Sequence, residues 1–342
     1  MARHRIIIDT DPGIDDILAL LLALSASPED LEVLLISLTY GNIDVENCLR
    51  NVVSLFHHVE KEREWRKSKG LPEGFDALDA RKPIVAVGAV GPLAAQIILA
   101  DYYHGIDGLG GIHHTHPHLS PEATWRHLFQ SSQAADDDAI RDQNPPNLFI
   151  PSKRPAHEEI LQILRDNPPD TITIVTIGPL TNAAHAAAVD PETFLRAKQV
   201  LTMGGAVELE GNMNPVAEFN IYADSIAAAR VFALSSPKPL STMPLVPPAK
   251  EAGVAEDPCL AAYPATLGRR LELKLFPLDI TTTHNLTRQY WDKMMKQPLE
   301  DGSPLAHWMS AFLESTFRKA EELYHLRPEE VGLNLHDPLP IW

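Results

Sequence analysis

The sequence predicts an α/β fold, a single Rossmann-like domain in which helices flank a mostly parallel open sheet. Short β-branched runs alternate with segments of helical periodicity along the 342 residues, which is the pattern that βαβ units produce. The strand-like runs end in, or are followed by, Gly, Asn or Asp. Because open parallel sheets bind ligands at the carboxyl ends of their strands, we expect a binding site there.

Each predicted element follows from local composition. Strands are assigned to short β-branched runs bounded by turn residues, namely residues 5–9, 31–40, 83–89, 171–176 and 198–203. Helices are assigned where apolar residues recur at helical spacing, namely residues 14–26, 45–65, 92–100, 155–166, 180–189 and 222–234. In the second of these helices Asp44 suits the N-cap, and His57 and His58 near its end are expected to be solvated or to cap it.

Four segments depart from this alternation. Residues 239–246 and 273–281 are two candidates for a single further strand. Residues 112–152, rich in His, Pro, Asp and Gln, and residues 247–270, rich in Ala and Pro, are interpreted as surface insertions. The whole chain, residues 1–342, is therefore predicted to form one domain.

The composition limits the classes of partner. Asp and Glu total 46 against 29 Lys and Arg, and the formal net charge is -17. This excess of negative charge opposes binding to nucleic acid and to anionic membranes. The two cysteines, Cys48 and Cys259, do not make a disulfide framework, and no signal peptide or membrane-spanning run is evident. We expect a cytoplasmic protein with a small-molecule partner.

Four carboxylates lie within eight residues where the first predicted strand meets the first helix. Asp9 and Asp11 alternate at the strand end, a Pro-Gly pair makes the turn, and Asp15 and Asp16 occupy the first helical turn. Carboxylates that converge in this way repel one another unless a cation lies between them. Oxygen ligands favour Ca²⁺ or Mg²⁺ over Zn²⁺, so a metal site is predicted here.

This octet resembles the signature of the inosine-uridine preferring nucleoside hydrolase family. Seven further segments resemble blocks of that family in the same order: Thr39-Tyr40-Gly41-Asn42, His104-Gly105-Ile106-Asp107-Gly108-Leu109-Gly110, Gly178-Pro179-Leu180-Thr181-Asn182, Met203-Gly204-Gly205, Ala217-Glu218-Phe219-Asn220, Pro277-Leu278-Asp279-Ile280-Thr281 and His336-Asp337-Pro338. The resemblance implies the nucleoside hydrolase fold, hydrolysis of ribonucleosides to ribose and nucleobase, Ca²⁺ as cofactor, and a homodimer or homotetramer.

The resemblance also implies a set of metal ligands. Asp11, Asp16 and Asp337 would supply carboxylates, and the backbone carbonyl of Ile177 would supply a further oxygen. Asp11 would in addition be the general base that takes a proton from the attacking water. Such chemistry suits the reaction, since cleavage of an N-glycosidic bond needs a nucleophile, stabilisation of an oxocarbenium-like sugar and help for the departing base.

Contacts with the substrate follow from the same resemblance. They are Asp15 and Asn42 at the 2′-hydroxyl, Asn220 at the 3′-hydroxyl, Glu218 and Asn212 at the 5′-hydroxyl, Met203 beside the sugar, and His104 and His336 near the nucleobase. Of the two histidines, His336 is favoured as the group that protonates the leaving base. Deoxyribonucleosides are expected to be poor substrates, because their missing 2′-hydroxyl would leave buried polar groups unpaired.

Two alternative functions fit parts of the sequence. An Asp-x-Asp motif at a strand end also suits a Mg²⁺-dependent phosphatase of the haloacid dehalogenase type, although negative charge at the helix entry would repel phosphate. The other alternative is a non-catalytic nucleoside- or ribose-binding protein of the same fold. Family members generally continue well beyond His-Asp-Pro, whereas five residues follow Asp337 here, so this ligand is expected to lie on a fraying, shortened terminus.

The run His113-His114-Thr115-His116-Pro117-His118 is rich in a common zinc ligand. Its spacing lacks the i, i+4 pair that a helix presents to a metal, and no cysteine lies nearby. The segment is therefore interpreted as a flexible, partly protonated loop rather than a zinc site.

Overall fold

The computed structural model describes residues 3–129, 147–242, 258–325, 327 and 330–342. Its strands are β1 (His4–Thr10), β2 (Leu31–Leu38), β3 (Ile84–Val87), β4 (Ile150–Pro151), β5 (Thr173–Thr176), β6 (Gln199–Met203), β7 (Leu273–Phe276), β8 (Asn285–Thr287) and β9 (Gly332–Asn334). The first seven form one parallel sheet in the order β4-β3-β2-β1-β5-β6-β7, and β8 pairs with β9 in antiparallel fashion. The predicted α/β class with a mostly parallel sheet is confirmed.

The α-helices of the described residues are α1 (Ile14–Ser25), α2 (Val45–Ser68), α3 (Asp76–Ala80), α4 (Asp101–His104), α5 (Ile112–Thr115), α6 (Ala156–Asp166), α7 (Thr181–Val189), α8 (Pro191–Phe194), α9 (Phe219–Ala223), α10 (Ser225–Ala233), α11 (Pro239–Thr242), α12 (Leu278–Thr281), α13 (Arg288–Asp301), α14 (Pro304–Tyr324) and α15 (Pro338–Ile341). Within the same ranges, no helix combines the length and the apolar character needed to cross a bilayer.

Strand β1 shows why helices cover both faces of the sheet. Ile6 and Ile8 pack into one hydrophobic cluster, which includes residues of α1, α2 and α14. Ile7 packs into a second cluster, which includes residues of α6, α7 and α10. Successive side chains of a strand point to opposite faces, so a strand with three consecutive apolar residues must be covered on both sides.

The strand order reverses beside β1. The chain runs from β1 through β2 and β3 to β4 at one edge of the sheet, then returns to the other side of β1 as β5. Ligand crevices of open parallel sheets lie at such a switch point, at the carboxyl ends of the strands. Asp11 directly follows β1 and Ile177 directly follows β5, so both lie at this crevice.

The predicted helix at 92–100 is wrong. This stretch has no regular secondary structure, and its backbone donors bond to distant parts of the chain. The Leu93 N–H donates to the Asp224 carboxylate at 2.9 Å, and the Ala100 N–H donates to the Asn42 carbonyl at 3.2 Å. These tertiary hydrogen bonds replace the i to i−4 bonds that a helix would require.

The predicted helix at 222–234 is instead two helices, α9 and α10, that meet at Asp224. The Asp224 side chain accepts hydrogen bonds from the Ala227 N–H at 2.9 Å and from the Thr181 hydroxyl at 2.8 Å. The first of these bonds makes Asp224 the N-cap of α10, and its backbone angles, φ -146° and ψ 77°, are not helical. The break allows α9 to point Asn220 toward the crevice.

Of the two candidates for a further strand, the segment 273–281 supplies it. Leu273–Phe276 pairs with β6, and the residues after it turn into α12. In the other candidate, Pro239–Thr242 is helical, and residues 243–246 lie outside the described residues.

Part of the stretch 112–152 belongs to the folded core. Its strand β4 forms an edge of the main sheet, and Trp125 and Phe149 are buried in the hydrophobic cluster on the α1 face. Residues 130–146 lie outside the described residues. That this stretch is an insertion stays a prediction, but its two ends are structural parts of the domain.

The stretch 247–270 is likewise tied to the domain at its second half. Tyr263 is buried, and the guanidinium carbon of Arg230 lies 4.9 Å from its ring centroid. Arg230 also donates hydrogen bonds to the backbone carbonyls of Leu260 and Ala261, at 3.1 and 2.7 Å. Residues 243–257 lie outside the described residues, and the insertion stays a prediction.

Two histidines are buried where the sequence predicts solvated positions. His58 is 1% exposed, stacks on Trp308 with 4.8 Å between ring centroids, and donates from Nε2 to the Leu119 carbonyl at 2.7 Å. His113 donates from Nε2 to Asn51 Oδ1 at 2.8 Å. Burial lowers the pKa of both rings to about 4. The prediction of a solvated or helix-capping His58 and that of a protonated His113 are therefore wrong.

The expected fraying of Asp337 is also wrong. Its side chain is buried, at 3% exposure. The short helix α15 directly after it packs against α1 and buries Pro338 and Pro340. Strand β9, just before it, is paired with β8. Asp337 is thus held on both sides by packed structure.

Candidate active site

The turn after β1 is built around the carboxylate of Asp16. The Thr10 hydroxyl donates to Asp16 Oδ1 at 2.6 Å, and the Gly13 N–H donates to Asp16 Oδ2 at 3.0 Å. Asp16 thereby caps α1 from within its first turn, and Gly13 is the N-cap residue. A Cβ on Gly13 would lie 2.6 Å from His104 Nδ1, so the close approach of His104 explains the glycine at this turn.

Asn42 ties the loop after β2 to this turn. Its backbone N–H donates to Asp11 Oδ2 at 2.6 Å, and its side-chain amide donates to Asp16 Oδ2 at 2.9 Å. The other oxygen, Asp11 Oδ1, is buried and has no hydrogen-bond partner among the described residues. A buried carboxylate oxygen in this state is costly unless a proton or a cation binds to it.

Three further carboxylate groups converge beside it. Asp15, Asp16 and Asp337 each offer one oxygen, and these oxygens lie within 4.8 Å of one another. All three side chains are buried. Asp11 is not part of this tight group, but its charge contributes to the electrostatic environment of Asp337. We refer to Asp11, Asp15, Asp16 and Asp337 together as the acidic floor.

The raised pKa values of three carboxyl groups in the acidic floor show that their ionised forms are disfavoured. Burial first, and the charge of Asp16 second, raise the pKa of Asp15 to about 7 and that of Asp11 well above its usual range. Burial and then the charge of Asp15 raise the pKa of Asp337 in the same way. A divalent cation would remove this cost, because it compensates the charges that burial and repulsion oppose. The donor set therefore fits a metal ion.

Asp9, the first acid of the octet, lies below this floor. Its Oδ1 accepts hydrogen bonds from the Ser37 hydroxyl at 2.5 Å and from the Asn182 amide at 2.9 Å. The same amide donates to the Leu38 carbonyl, and Asn182 Oδ1 accepts from the Ala89 N–H at 2.8 Å. Asp9 thus joins β1 and β2 to the start of α7.

A cleft of about 430 Å³ opens above the acidic floor. The residues predicted from the sequence that line it are Asp15, Asn42, His104, Ile177, Met203, Asn212, Glu218, Asn220, His336 and Asp337. Asp11 and Asp16 are fully buried behind this lining. The structure therefore brings together, at one place, side chains that come from distant parts of the sequence.

Glu218 organises one wall of the cleft. As the N-cap of α9 it accepts a hydrogen bond from the Asn220 N–H at 2.9 Å, and its other oxygen accepts from the Gly205 N–H, also at 2.9 Å. The Asn220 amide donates to the Ile177 carbonyl at 3.2 Å and lies 3.3 Å from Met203 Sδ. One lone pair of the Ile177 carbonyl is thus used by Asn220, and a carbonyl oxygen has a second.

The two histidines present neutral rings to the cleft. His104 Nδ1 accepts a hydrogen bond from the Ile14 N–H at 3.3 Å, and burial lowers the pKa of His104 to about 3. His336 Nδ1 and the Thr281 hydroxyl are hydrogen-bonded at 2.7 Å, and burial lowers the pKa of His336 to about 4. Both rings are therefore uncharged near neutral pH.

Comparison with known proteins assigns this arrangement to a family. The sequence profile described as inosine-uridine preferring nucleoside hydrolase matches residues 6–342. The chain belongs to this family. The resemblance of the octet and the later blocks is confirmed over nearly the whole chain. Family membership also removes the basis for the alternative of a haloacid dehalogenase phosphatase.

This nucleoside hydrolase family member aligns with only part of the length of its curated relatives. An uncharacterised protein of Schizosaccharomyces pombe is 36% identical over 241 residues, which are 70% of this chain and 61% of that protein. The pyrimidine-specific ribonucleoside hydrolase RihA of Salmonella enteritidis is 37% identical over 227 residues, 66% of this chain and 56% of that protein. The matched part is thus about three fifths of the length of these relatives.

Solved nucleoside hydrolase structures share the fold. The plant nucleoside hydrolase PpNRh1 has a TM-score of 0.59 at 25% identity and covers 99% of this chain and 77% of its own. The purine-preferring ribonucleoside hydrolase from Gardnerella vaginalis has a TM-score of 0.63 at 21% identity, with 98% and 78% covered. The nucleoside hydrolase fold predicted from the sequence is confirmed.

The sequence does not predict some residues of this nucleoside hydrolase cleft. Asn285 and Asn334, opposite each other on β8 and β9, line the cleft, and their side-chain amides are hydrogen-bonded at 3.0 Å. Isolated asparagines in strands of three residues follow no periodic pattern, so they give little signal. Tyr102 and Tyr103 also line the cleft. They directly precede the His104 block, and that proximity is a signal that could have identified them.

Proposed function

We propose that the chain hydrolyses the N-glycosidic bond of ribonucleosides to ribose and free nucleobase. The observation that carries this proposal is the meeting of a buried acidic floor with polar side chains in one cleft of about 430 Å³. That volume suits a small ligand such as a nucleoside. Relatives named as ribonucleoside hydrolases, from Salmonella and Gardnerella, support the same activity.

The acidic floor fits Ca²⁺. It combines an unpartnered, buried Asp11 Oδ1 with the converging oxygens of its neighbours, and hard oxygen donors suit Ca²⁺ or Mg²⁺. We expect Asp11, Asp16, Asp337 and the Ile177 carbonyl to hold the ion. The chemistry that Ca²⁺ supplies at such a site is orientation and acidification of water, together with binding of sugar hydroxyls.

Asp11 is the proposed general base. Its Oδ2 is fixed by the Asn42 N–H, while its Oδ1 has no hydrogen-bond partner in the described part of the chain. A Cβ at position 178 would lie 2.5 Å from Oδ1, and glycine there avoids this clash. A carboxylate fixed at one oxygen and without a hydrogen-bond partner at the other can take a proton without reorienting.

The ribose hydroxyls would be held by the polar lining of the cleft. The proposed contacts are Asp15 and Asn42 for the 2′-hydroxyl, Asn220 for the 3′-hydroxyl, and Glu218 with Asn212 for the 5′-hydroxyl, with Met203 packed beside the sugar. All of these residues line the cleft. Since Asp15 and Asn42 are buried, loss of the 2′-hydroxyl would remove a hydrogen-bond partner that water cannot easily replace, which makes deoxyribonucleosides poor substrates.

The departing nucleobase would meet the two histidines. His104 can donate a hydrogen bond from Nε2, because its Nδ1 already accepts one from the backbone. His336 is oriented by Thr281 and is the proposed proton donor to the leaving group. Because burial lowers its pKa to about 4, the ring must gain a proton when the nucleoside binds before it can act in this way. Both lie in the cleft with the sugar-binding residues, so base and sugar can be contacted together.

A substrate panel tests this function. Ribose release is measured as reducing sugar from uridine, cytidine, inosine, adenosine and deoxyinosine, with and without a chelator. The pyrimidine nucleosides come first, because the 37% identical relative is named pyrimidine-specific. We expect ribonucleosides to be cleaved, deoxyinosine to be cleaved poorly, chelation to abolish activity, and Ca²⁺ to restore it better than Zn²⁺.

The outcomes separate the alternatives. Full activity in protein that elemental analysis shows to be metal-free would overturn the metal assignment. Ribose binding without release from any nucleoside would favour the non-catalytic binder. The structural support for that alternative has weakened, because Asp337 is buried rather than frayed.

Two further predictions from the sequence await direct measurement. A homodimer or homotetramer is expected from the family resemblance, and light scattering on the purified protein tests it. A cytoplasmic location is expected from the composition, and cell fractionation tests it.

A further inference from the structure

The loop after β6 reaches the cleft although two of its apolar side chains, those of Val207 and Leu209, are exposed. Residues 206–217, here called the 206–217 loop, connect β6 to α9, and their Leu209 and Asn212 line the cleft. Val207 is 65% exposed and Leu209 is 49% exposed. A loop that buries so little apolar surface gains little from packing. Ala206 and Met213 pack in part against hydrophobic clusters, so polar contacts are needed chiefly to hold residues 207–210, which are exposed.

Asp279 supplies such contacts. It lies in α12, and its carboxylate accepts hydrogen bonds from three consecutive backbone N–H groups, those of Val207 at 2.9 Å, Glu208 at 2.7 Å and Leu209 at 3.1 Å. These bonds lower the pKa of Asp279, so the carboxylate is charged near neutral pH. Hydrogen bonds to a charged acceptor are stronger than those between neutral groups.

The same short helix also contacts other residues that line the cleft. Thr281 is hydrogen-bonded to His336 Nδ1 at 2.7 Å, and Leu278 lines the cleft. The Leu278 N–H also donates to the Gly205 carbonyl at 2.9 Å, at the corner where the 206–217 loop begins. Helix α12 thus links the loop on the sugar side to the histidine on the base side. Asp279 itself is not among the residues that line the cleft.

We propose that Asp279 is a positioning residue that holds the 206–217 loop so that Asn212 meets the 5′-hydroxyl of the ribonucleoside. The identity of the ligand rests on the proposed function, whereas the anchoring of the loop does not. Asp279 acts through three backbone N–H groups of the loop rather than through the substrate. Nucleosides with a free 5′-hydroxyl should therefore depend on Asp279 more than their 5′-deoxy analogues.

Hydrogen–deuterium exchange on the full chain tests the anchoring without any substrate. Asp279→Ala removes all three acceptor contacts, and Asp279→Asn keeps only part of the acceptor capacity. Exchange at residues 207–209 should rise by about tenfold or more in Asp279→Ala. Asp166→Asn is the matched control, since its carboxylate accepts a side-chain amide from Gln162 on α6, at 2.8 Å. Exchange at 207–209 should be unchanged in this control.

Steady-state kinetics tests the consequence for the cleft. Uridine and inosine are each compared with their 5′-deoxy analogue. In Asp279→Ala the KM of the ribonucleosides should rise about tenfold, while kcat changes by less than about threefold. The KM of the 5′-deoxy analogues should change little, because the affected contact is already missing. Asp279→Glu, which keeps the charge, should recover part of the loss.

Each outcome has a distinct reading. Unchanged exchange at 207–209 in Asp279→Ala would overturn the anchoring. Faster exchange with equal KM changes for uridine and 5′-deoxyuridine would overturn the 5′-hydroxyl assignment. If the parent protein cleaves none of the nucleosides, the proposed function fails, and exchange alone then supports or overturns the anchoring.

Discussion

The backbone N–H of Ile14 donates a hydrogen bond to Nδ1 of His104 at 3.3 Å. A backbone N–H cannot accept, so Nδ1 is unprotonated and the single ring proton lies on Nε2. Burial, and to a lesser extent His336, lowers the pKa of His104 to about 3. The ring can therefore donate one hydrogen bond to a nucleobase, but it does not hold a spare proton near neutral pH.

This relationship predicts how His104 variants behave. His104→Ala should lower kcat/KM by about tenfold to a hundredfold, because a buried hydrogen bond to the departing base is lost. His104→Gln, which can keep an N–H donor, should lose less. The limbs of the pH profile between pH 5 and 8 should be the same in parent and variants. A limb that disappears in His104→Ala would show that His104 titrates in this range.

His336 is expected to act on the leaving group. His336→Ala should lower kcat for a ribonucleoside by ~10²–10⁴-fold, the range typical of a general acid. An aryl riboside with a nitrophenolate leaving group needs no proton, so its cleavage should fall far less. Thr281→Ser, which keeps the hydroxyl next to Nδ1, is the conservative control. Equal losses on both substrates would remove His336 from the protonation step.

Asp11 is expected to have two roles, general base and metal ligand. Asp11→Asn should lower turnover by at least ~10²–10⁴-fold and weaken Ca²⁺ binding measured by calorimetry. Asp44→Asn is the matched control, because Asp44 caps α2 through one oxygen and asparagine keeps that acceptor. The idea would be abandoned if Asp11→Asn and the parent turned over at comparable rates.

The positions of Asp11 and Ile177 show which parts of the site the sequence predicts well. Both directly follow short buried strands, and such strands are recognisable from local composition and turn residues. Parallel topology then places the carboxyl ends of neighbouring strands at the same edge of the sheet. Local sequence patterns are therefore sufficient to predict that these two residues lie close together. The roles proposed for them came from the family resemblance.

Features that depend on distant partners could not be predicted in this way. The helix predicted at 92–100 does not form, because this segment makes hydrogen bonds with Asp224 and Asn42 instead. Helix propensity depends on the local sequence alone and does not account for such distant partners. Asp279 belongs to a recognised block, yet its contact with the 206–217 loop appears only in the folded chain. The burial of His58 depends on Trp308, which is far away in the sequence.

Because His58 is buried, we expect its protonation to lower the free energy of unfolding at acidic pH. Its ring lies against Trp308 and is hydrogen-bonded to the Leu119 carbonyl at 2.7 Å, and burial lowers its pKa from the usual 6.5 to about 4. The unfolded chain therefore binds the proton before the folded chain does. The stabilising contribution is fully present above about pH 6.5 and is lost as the pH falls from 6.5 toward 4.

The expected contribution can be measured by urea unfolding at pH 7 and pH 5. His58 should account for about 2 kcal/mol of the decrease in the free energy of unfolding between these values, from the difference between the two pKa values. His58→Phe keeps an aromatic ring against Trp308 but cannot be protonated, so its decrease should be smaller by that amount. His114→Gln, at an exposed histidine, is the control and should match the parent. The comparison uses the change with pH rather than the absolute stability, so a packing defect in His58→Phe does not affect it. An equal decrease in His58→Phe and the parent would show that His58 is already accessible to protons in the folded protein.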